Sequence, residues 1–179
     1  MNDSFIIPEC YVDTNLIEAL VPPQRGYNHQ KGCPAVAKCM KEKFGDKFAV
    51  GITDKDKREL KYLEEFNLLA NDESIYLYKH KEKPHYIIQV SPAVEVFILN
   101  AVAELGIELK EHQIPSDLES MKKETKKIDA KSSVKYRNLF KNLKKASTFK
   151  KLANIVRYLK EKQYRADDTE LSGLISEAH

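Results

Sequence analysis

The strongest constraint on the fold is the uncharged, mostly apolar run at residues 48–53, which ends in Asp54-Lys55-Asp56. Such a run is typical of a strand that is buried on both faces, as in a parallel sheet covered by helices. A second apolar run at residues 5–7 is stopped by Pro8 and followed by Glu9. We therefore expect two buried strands that each end in acidic residues.

The segments around these two strands predict an α/β fold. Helical patterns at residues 13–21 and 32–44 lie between the strands, which favours a parallel pair joined by crossover helices. Two further runs with β character, at residues 74–78 and 86–90, flank a polar stretch with Pro84 and predict an antiparallel hairpin. Ser91-Pro92 is a favourable start for the next helix. The expected fold is a small, mainly parallel sheet flanked by helices, with an antiparallel hairpin.

The second half of the chain is helical in pattern and strongly basic. Residues 121–165 contain sixteen Lys and Arg against three Asp and Glu, whereas residues 1–120 have more acidic than basic residues. We predict an α/β domain over residues 1–115 and a basic helical C-terminal extension over residues 116–179. The basic segment is either a footprint for nucleic-acid phosphates or the solvated face of amphipathic helices.

Composition excludes several classes of protein. Cys10, Cys33 and Cys39 contain no CxxC pair, which argues against a disulfide framework or a cysteine zinc site and favours a reducing compartment. The sequence has no long apolar span, no signal-peptide pattern and no Gly-rich loop of the P-loop type. We therefore expect a cytoplasmic protein that neither crosses a membrane nor binds ATP through a P-loop.

Acidic side chains follow both buried strands and begin a later helix. If the two strands are parallel neighbours, the acids after them meet at one sheet edge, where ligands of open α/β sheets bind. Clustered carboxylates repel unless a cation lies among them, and their oxygens suit Mg²⁺ or Mn²⁺. The candidate metal ligands are Glu9, Asp13, Asp54, Asp56 and Glu95.

Each of these acids also has a purely structural explanation. Asp54 and Asp56 are consistent with a turn that satisfies its own backbone, and Asp13 is consistent with a helix N-cap. Glu95 is placed to complement the positive end of its helix. The metal hypothesis depends on the acids occurring together and in this order.

That order resembles the Toprim domain, in the branch related to OLD-family nucleases. The first strand of that family ends in Glu-Gly-x-x-Asp, which corresponds here to Glu9-Cys10-Tyr11-Val12-Asp13, with Cys10 in place of Gly. A later strand ends in Asp-x-Asp, here Asp54-Lys55-Asp56, and Glu95 matches a Glu that follows the hairpin. The resemblance covers residues 5–105.

The resemblance implies metal-dependent hydrolysis of nucleic-acid phosphodiesters, DNA more than RNA, with Mg²⁺ or Mn²⁺ as cofactor. It assigns catalysis to Glu9, Asp54 and Asp56. It also suggests a separate ATPase as partner. The basic residues expected to contact nucleic acid are Lys31, Lys55, Lys57 and Arg58, although the last three are equally placed to neutralise the neighbouring acids.

Two other functions stay open. The first is a Toprim-like module that binds nucleic acid or protein without turnover. The second is another metal-using phosphate enzyme, such as a dehalogenase-type phosphatase, but Arg58 stands where that family needs Thr or Val.

Overall fold

The computed structural model of the chain describes residues 3–55 and 60–176. Its centre is one five-stranded sheet with the strand order β1-β2-β5-β4-β3. The strands are β1 (Ile6–Pro8), β2 (Ala49–Asp54), β3 (Phe66–Asn71), β4 (Ile75–His80) and β5 (His85–Val90). The predicted α/β class is confirmed.

The sheet is mixed rather than mainly parallel. The β1/β2 and β2/β5 pairs are parallel, whereas β4 is antiparallel to both β5 and β3. The predicted hairpin is present as β4 and β5, and β5 inserts beside β2, so the hairpin is part of the sheet. Sequence patterns did not predict β3, because most of its side chains are at least partly exposed and lack a regular apolar alternation.

Seven α-helices occur in the described residues: α1 (Tyr11–Leu20), α2 (Cys33–Lys38), α3 (Val94–Leu105), α4 (Leu118–Thr125), α5 (Val134–Leu143), α6 (Ser147–Lys162) and α7 (Asp168–Ser176). A π-helical turn, Cys39–Phe44, continues α2. Short 3₁₀ segments span Lys61–Glu65, Leu109–His112, Ile128–Lys131 and Gln163–Arg165. Among these residues, no helix combines the length and apolar character needed to cross a membrane.

Two helices begin at residues other than those predicted. Helix α1 has Cys10 as its N-cap, so Asp13 lies inside the first turn and is not the cap. Helix α3 starts at Val94, after Ser91-Pro92, and its first N–H is bound by the Asp54 carboxylate, with 2.8 Å between N and Oδ1. Asp54, at the end of β2, therefore accepts a hydrogen bond from the start of α3, a role that the sequence pattern assigned to Ser91.

The two faces of the sheet are covered unequally. Alternate residues such as Ile6, Val50 and Ile88 face a large core formed with helices α1 and α3 to α7. Ile7, Ala49 and Ile87 face a smaller core under α2 and the π-helical turn. The apolar stripe of α6 is buried in the large core, and it comprises Phe149, Leu152, Ala153, Val156 and Leu159.

Residues from both sides of the predicted boundary between 1–115 and 116–179 contribute to the large core. Helix α5 packs against α1, and α6 packs against α3. The C-terminal helices therefore form part of the environment of the sheet edge described next.

Candidate metal centre

Strands β1 and β2 end at the same sheet edge because they are parallel and in register, with Pro8 opposite Ile52. The Glu9 N–H continues this pairing by donating to the Ile52 carbonyl at 2.9 Å. The Glu9 side chain then turns toward β2, where its Oε2 accepts a hydrogen bond from the Asp54 N–H at 3.0 Å. The meeting of Glu9 and Asp54 that the parallel arrangement implied is thus present.

Asp54 links this edge to the start of α3. Its Oδ1 binds the Val94 N–H, and Glu95 is the next residue of that helix. Burial, together with the negative charges of Asp13, Glu9 and Glu95, raises the pKa of the Asp54 carboxyl to about 9. Asp13 and Glu95, two of the three remaining predicted ligands, are therefore electrostatic neighbours of Asp54.

Asp13 is buried in the first turn of α1, with 3 % of its surface exposed. Its Oδ2 is buried without a hydrogen-bond partner. Burial is the largest cause that raises the pKa of Asp13 to about 7, and Glu9 and Glu95 add to it against the opposing hydrogen bond from Cys10. A buried carboxylate oxygen without a partner is costly unless a proton or a cation satisfies it.

Glu95 is also buried, and it is held from the C-terminal half of the chain. The hydroxyl of Thr125, at the end of α4, donates to Glu95 Oε1 at 2.5 Å. Both side chains are almost inaccessible to solvent. Sequence reasoning did not identify Thr125, because nothing local connects α4 to a helix thirty residues earlier.

Glu9, Asp13, Asp54 and Glu95 therefore lie in one electrostatic neighbourhood. Their oxygen donors fit a hard divalent cation such as Mg²⁺ or Mn²⁺, and the unpartnered Asp13 Oδ2 supplies an acceptor without another use. Within residues 3–55 and 60–176, no three His, Cys, Asp or Glu side chains form a ready-made group that could hold a metal ion. A bound cation thus requires these carboxylates to turn toward one another.

Two cysteines contact the carboxylates of this edge, and sequence reasoning gave neither a role in binding. Cys33 Sγ donates to Glu9 Oε2 with a separation of 2.9 Å. Cys10 Sγ accepts from the Asp13 N–H at 3.4 Å. Burial, followed by the charge of Asp13, raises the pKa of the Cys10 thiol well above its usual range. The only local signal was the position of Cys10 directly after Glu9.

An aromatic pair lies next to Cys10. The rings of Tyr11 and His29 stack with their centroids 4.4 Å apart. The Thr14 hydroxyl donates to the Cys10 carbonyl at 2.8 Å and lies 3.1 Å from His29 Nδ1. Burial lowers the pKa of His29, and the positive charges of Lys131 and Lys31 lower it further.

The residues predicted to contact nucleic acid are only partly described. Lys31 is exposed in the loop before α2. Lys55 Nζ lies over the Tyr76 ring, 3.1 Å from its centroid. Asp56, Lys57 and Arg58 fall in residues 56–59, outside the described part of the chain. Their predicted roles, and those of Lys31 and Lys55, stay predictions.

Some basic residues of the C-terminal segment form ion pairs with acidic residues of the N-terminal segment. Lys160 pairs with the buried Asp3 at 3.0 Å, and Lys151 pairs with Asp72 at 2.7 Å. Arg137 contacts Glu18 at 3.2 Å. These pairs join the basic and acidic segments, while many other lysines of the C-terminal helices face solvent.

No family model, no curated protein and no solved structure matches this chain. The side chains at the shared edge of β1, β2 and α3 are therefore the basis for assigning a function.

Proposed function

We propose that this protein is a divalent-metal-dependent phosphodiesterase that acts on nucleic acid, with a Toprim-like site related to that of OLD-family nucleases. The observation that carries the proposal is the convergence of Glu9, Asp13, Asp54 and Glu95 on one edge of a parallel strand pair. A nuclease of this kind needs carboxylates that hold one or two cations against a phosphate.

The energetics of the edge support a cation rather than a structural role. Burial, followed by repulsion from the neighbouring acids, raises the pKa values of Asp13 and Asp54, so each carboxylate is unfavourable there when it is charged and has no cation beside it. The unpartnered Oδ2 of Asp13 has the same consequence. A structural cluster would be expected to pair its acids with Lys or Arg, as Asp3 and Asp72 are paired.

The roles of the chain's own residues follow from their positions. Glu9, Asp54 and, by resemblance, Asp56 would hold Mg²⁺ or Mn²⁺, with Asp13 and Glu95 as further ligands. The bound cation would neutralise phosphate charge and activate water. Lys31, together with Lys55, Lys57 and Arg58, would attract the nucleic-acid backbone, preferably DNA. An ATPase partner, whose P-loop these residues do not supply, would co-purify with the protein from the native host.

The test is cleavage of plasmid DNA, single-stranded DNA and RNA in Mn²⁺, Mg²⁺ or EDTA. We expect cleavage that EDTA abolishes and that Glu9→Gln and Asp54→Asn each reduce by at least about a hundredfold, in line with the loss of an electrostatic catalytic group. Glu82→Gln and Asp46→Asn are matched controls, because both acids are exposed and lie away from this edge. Equal cleavage by Asp54→Asn and wild type would refute the proposal.

A second candidate is a Toprim-like module that binds nucleic acid or protein without turnover. The specific observation in its favour is Cys10, which stands where the resemblance has Gly and whose sulfur contacts Asp13. Mn²⁺ binding that depends on Asp54, combined with nucleic-acid binding and no cleavage, would select this function.

A further inference from the structure

We propose that Cys33 is a sulfur ligand in this centre, so that the site takes a thiophilic divalent cation, of the Zn²⁺ or Cd²⁺ type, together with Glu9. The inference rests on the carboxylate edge of the proposed function, but neither on cleavage nor on Mg²⁺ or Mn²⁺ as the bound cation. The expected cation is then one that binds oxygen and sulfur ligands together, rather than one that prefers oxygen ligands alone.

The backbone brings Cys33 to Glu9. Gly32, with φ of 90°, donates its N–H to the Glu9 carbonyl at 3.2 Å, and Cys33 then begins α2. This places Cys33 Sγ 2.9 Å from Glu9 Oε2, the same oxygen that accepts from the Asp54 N–H. A cation bound by Glu9 would therefore lie beside this sulfur.

The observed separation is close to that of two ligands on one ion. With Zn–S of about 2.3 Å and Zn–O of about 2.1 Å, tetrahedral geometry sets sulfur and oxygen about 3.6 Å apart. The Cys33 and Glu9 atoms at 2.9 Å need to separate by less than one bond length to accept the ion. The thiol proton that now joins them is the proton that a coordinating thiol releases.

A second sulfur and an unsatisfied oxygen lie next to this pair. Cys10 caps α1 through its thiol, a weak acceptor at a position where Ser, Thr, Asp and Asn are preferred. The adjoining Asp13 is 97 % buried, since 3 % of its surface is exposed, and its Oδ2 has no hydrogen-bond partner. Asp13 would have to turn toward Glu9 and Cys33 to become a third donor, because no three such side chains in residues 3–55 and 60–176 already form a group that could hold a metal ion.

The third cysteine supplies an internal control. Cys39 has the same intermediate exposure as Cys33 but lies one and a half turns further along the helix, and its sulfur accepts from the Asn28 amide at 3.3 Å. It therefore tests whether an effect belongs to the carboxylate edge or to any thiol of the chain.

The experiment is a titration of the reduced, full-length protein with Cd²⁺, followed by the ultraviolet sulfur-to-cadmium charge-transfer band. We expect one saturable site in wild type and in Cys39→Ser, and a loss of Cd²⁺ affinity in Cys33→Ser that is no smaller than the roughly tenfold to hundredfold loss caused by removing an outer-shell partner of a ligand. Mn²⁺ binding by electron paramagnetic resonance, measured in wild type, Cys33→Ser and Asp54→Asn, reports on the carboxylates alone.

The outcomes separate the two proposals. Mn²⁺ binding that Asp54→Asn abolishes, without a charge-transfer band in wild type, overturns the sulfur ligand and leaves the metal site of the proposed function intact. A band that Cys33→Ser retains or Cys39→Ser abolishes also overturns it. Absence of Mn²⁺ binding together with a Cys33-dependent band supports the sulfur ligand and counts against the proposed function.

Wild-type protein provides a second measurement if Cys33→Ser fails to fold. Alkylation by iodoacetamide, quantified by mass spectrometry for each cysteine, should slow at least about tenfold at Cys33 with saturating Zn²⁺ or Cd²⁺, because the thiolate that binds a metal ion is the same group that attacks the reagent, and it should remain unchanged at Cys39. Equal protection of both cysteines, or protection of neither, contradicts the proposal.

Discussion

Glu9 Oε2 accepts a hydrogen bond from the backbone N–H of Asp54 at 3.0 Å, across the ends of two parallel strands. The same Asp54 caps α3 through its Oδ1. One carboxylate from β1 and one from β2 are thereby fixed at the edge where α3 begins, and two further buried acids, Asp13 and Glu95, raise the pKa of Asp54 from nearby.

The first prediction concerns pH in the absence of divalent cations. The pKa of Asp54 is raised to about 9 in the fold from its ordinary value of 3.8. The folded state therefore binds the proton more tightly, and the stability this provides is complete below pH 3.8 and is lost as pH rises toward 9. Asp54→Asn should weaken this dependence of stability on pH. At pH 8 its free energy of unfolding should exceed that of wild type by at least about 1.4 kcal/mol, the equivalent of one pKa unit.

Urea unfolding in EDTA at pH 5 and pH 8 measures both effects, with the exposed Asp46→Asn as a control that retains the wild-type slope. If Asp54→Asn is less stable than wild type at pH 8, the carboxylates do not repel one another as described.

A second prediction concerns acid pH and the opposite end of the sheet. His85 is fully buried, donates from Nε2 to the Lys47 carbonyl at 3.0 Å and accepts from the Tyr62 hydroxyl at 2.7 Å. Burial is the largest cause that lowers its pKa to about 4. The stability gained from a neutral His85 is present above pH 6.5 and is lost as pH falls toward 4.

His85→Gln keeps an N–H donor for the Lys47 carbonyl, but its carbonyl oxygen does not occupy the position of the ring Nδ1 that accepts from Tyr62. It should cost about 1–3 kcal/mol at pH 7, as expected for an unsatisfied buried group, and flatten the loss of stability between pH 6.5 and pH 4. Thermal unfolding across this pH range tests it, and His112→Gln should leave the profile unchanged. A wild-type profile that is flat over this interval contradicts the account.

Gly51 provides a packing prediction for β2. A Cβ at this position would lie 2.9 Å from both Met40 Sδ and Val36 Cγ1, so α2 and the π-helical turn would have to move away from the sheet. Gly51→Ala should destabilise the protein by about 1–3 kcal/mol, as overpacking does. Gly173→Ala is the matched control, because nothing lies within 4 Å of its added Cβ. If Gly51→Ala and wild type have equal midpoints of urea unfolding, α2 does not pack tightly against β2 at this position.

Lys160 tests whether the basic half of the chain is partly engaged within the fold. Its Nζ lies 3.0 Å from Oδ2 of Asp3, which is 3 % exposed. Lys160→Met should lose about 1–3 kcal/mol of unfolding free energy, because it leaves a buried acceptor with one partner fewer. Lys150→Met, at an exposed position of the same helix, should change it little. If Lys160→Met and Lys150→Met have the same free energy of unfolding, the ion pair between Lys160 and Asp3 does not stabilise the fold.

Some of this architecture was predictable from local sequence. The apolar runs that end in Glu9 and Asp54 predicted two buried strands and, through their parallel pairing, the shared edge. The hairpin also followed from local β character, although β4 extends beyond the predicted run to His80. Local signals were sufficient here because burial, turn residues and the acids all occur within a few positions of each other.

The remaining features depend on tertiary packing. Cys33 reaches Glu9 over 24 residues and Thr125 reaches Glu95 over 30 residues, and neither approach leaves a periodic pattern in the sequence. The start of α3 was misplaced for a similar reason, since Asp54 caps it from 40 residues away. Contacts of this kind are set by how helices lie on the sheet.

Anomalous diffraction from crystals soaked in Mn²⁺ shows directly whether the carboxylates at this edge bind a divalent cation. We expect one or two peaks within about 2.6 Å of oxygens of Glu9 and Asp54, the upper range for hard cations, and no peak at this edge in Asp54→Asn crystals. If crystals saturated with Mn²⁺ show no peak at this edge, the carboxylates do not bind a divalent cation there, and protons alone satisfy Asp13 and Asp54.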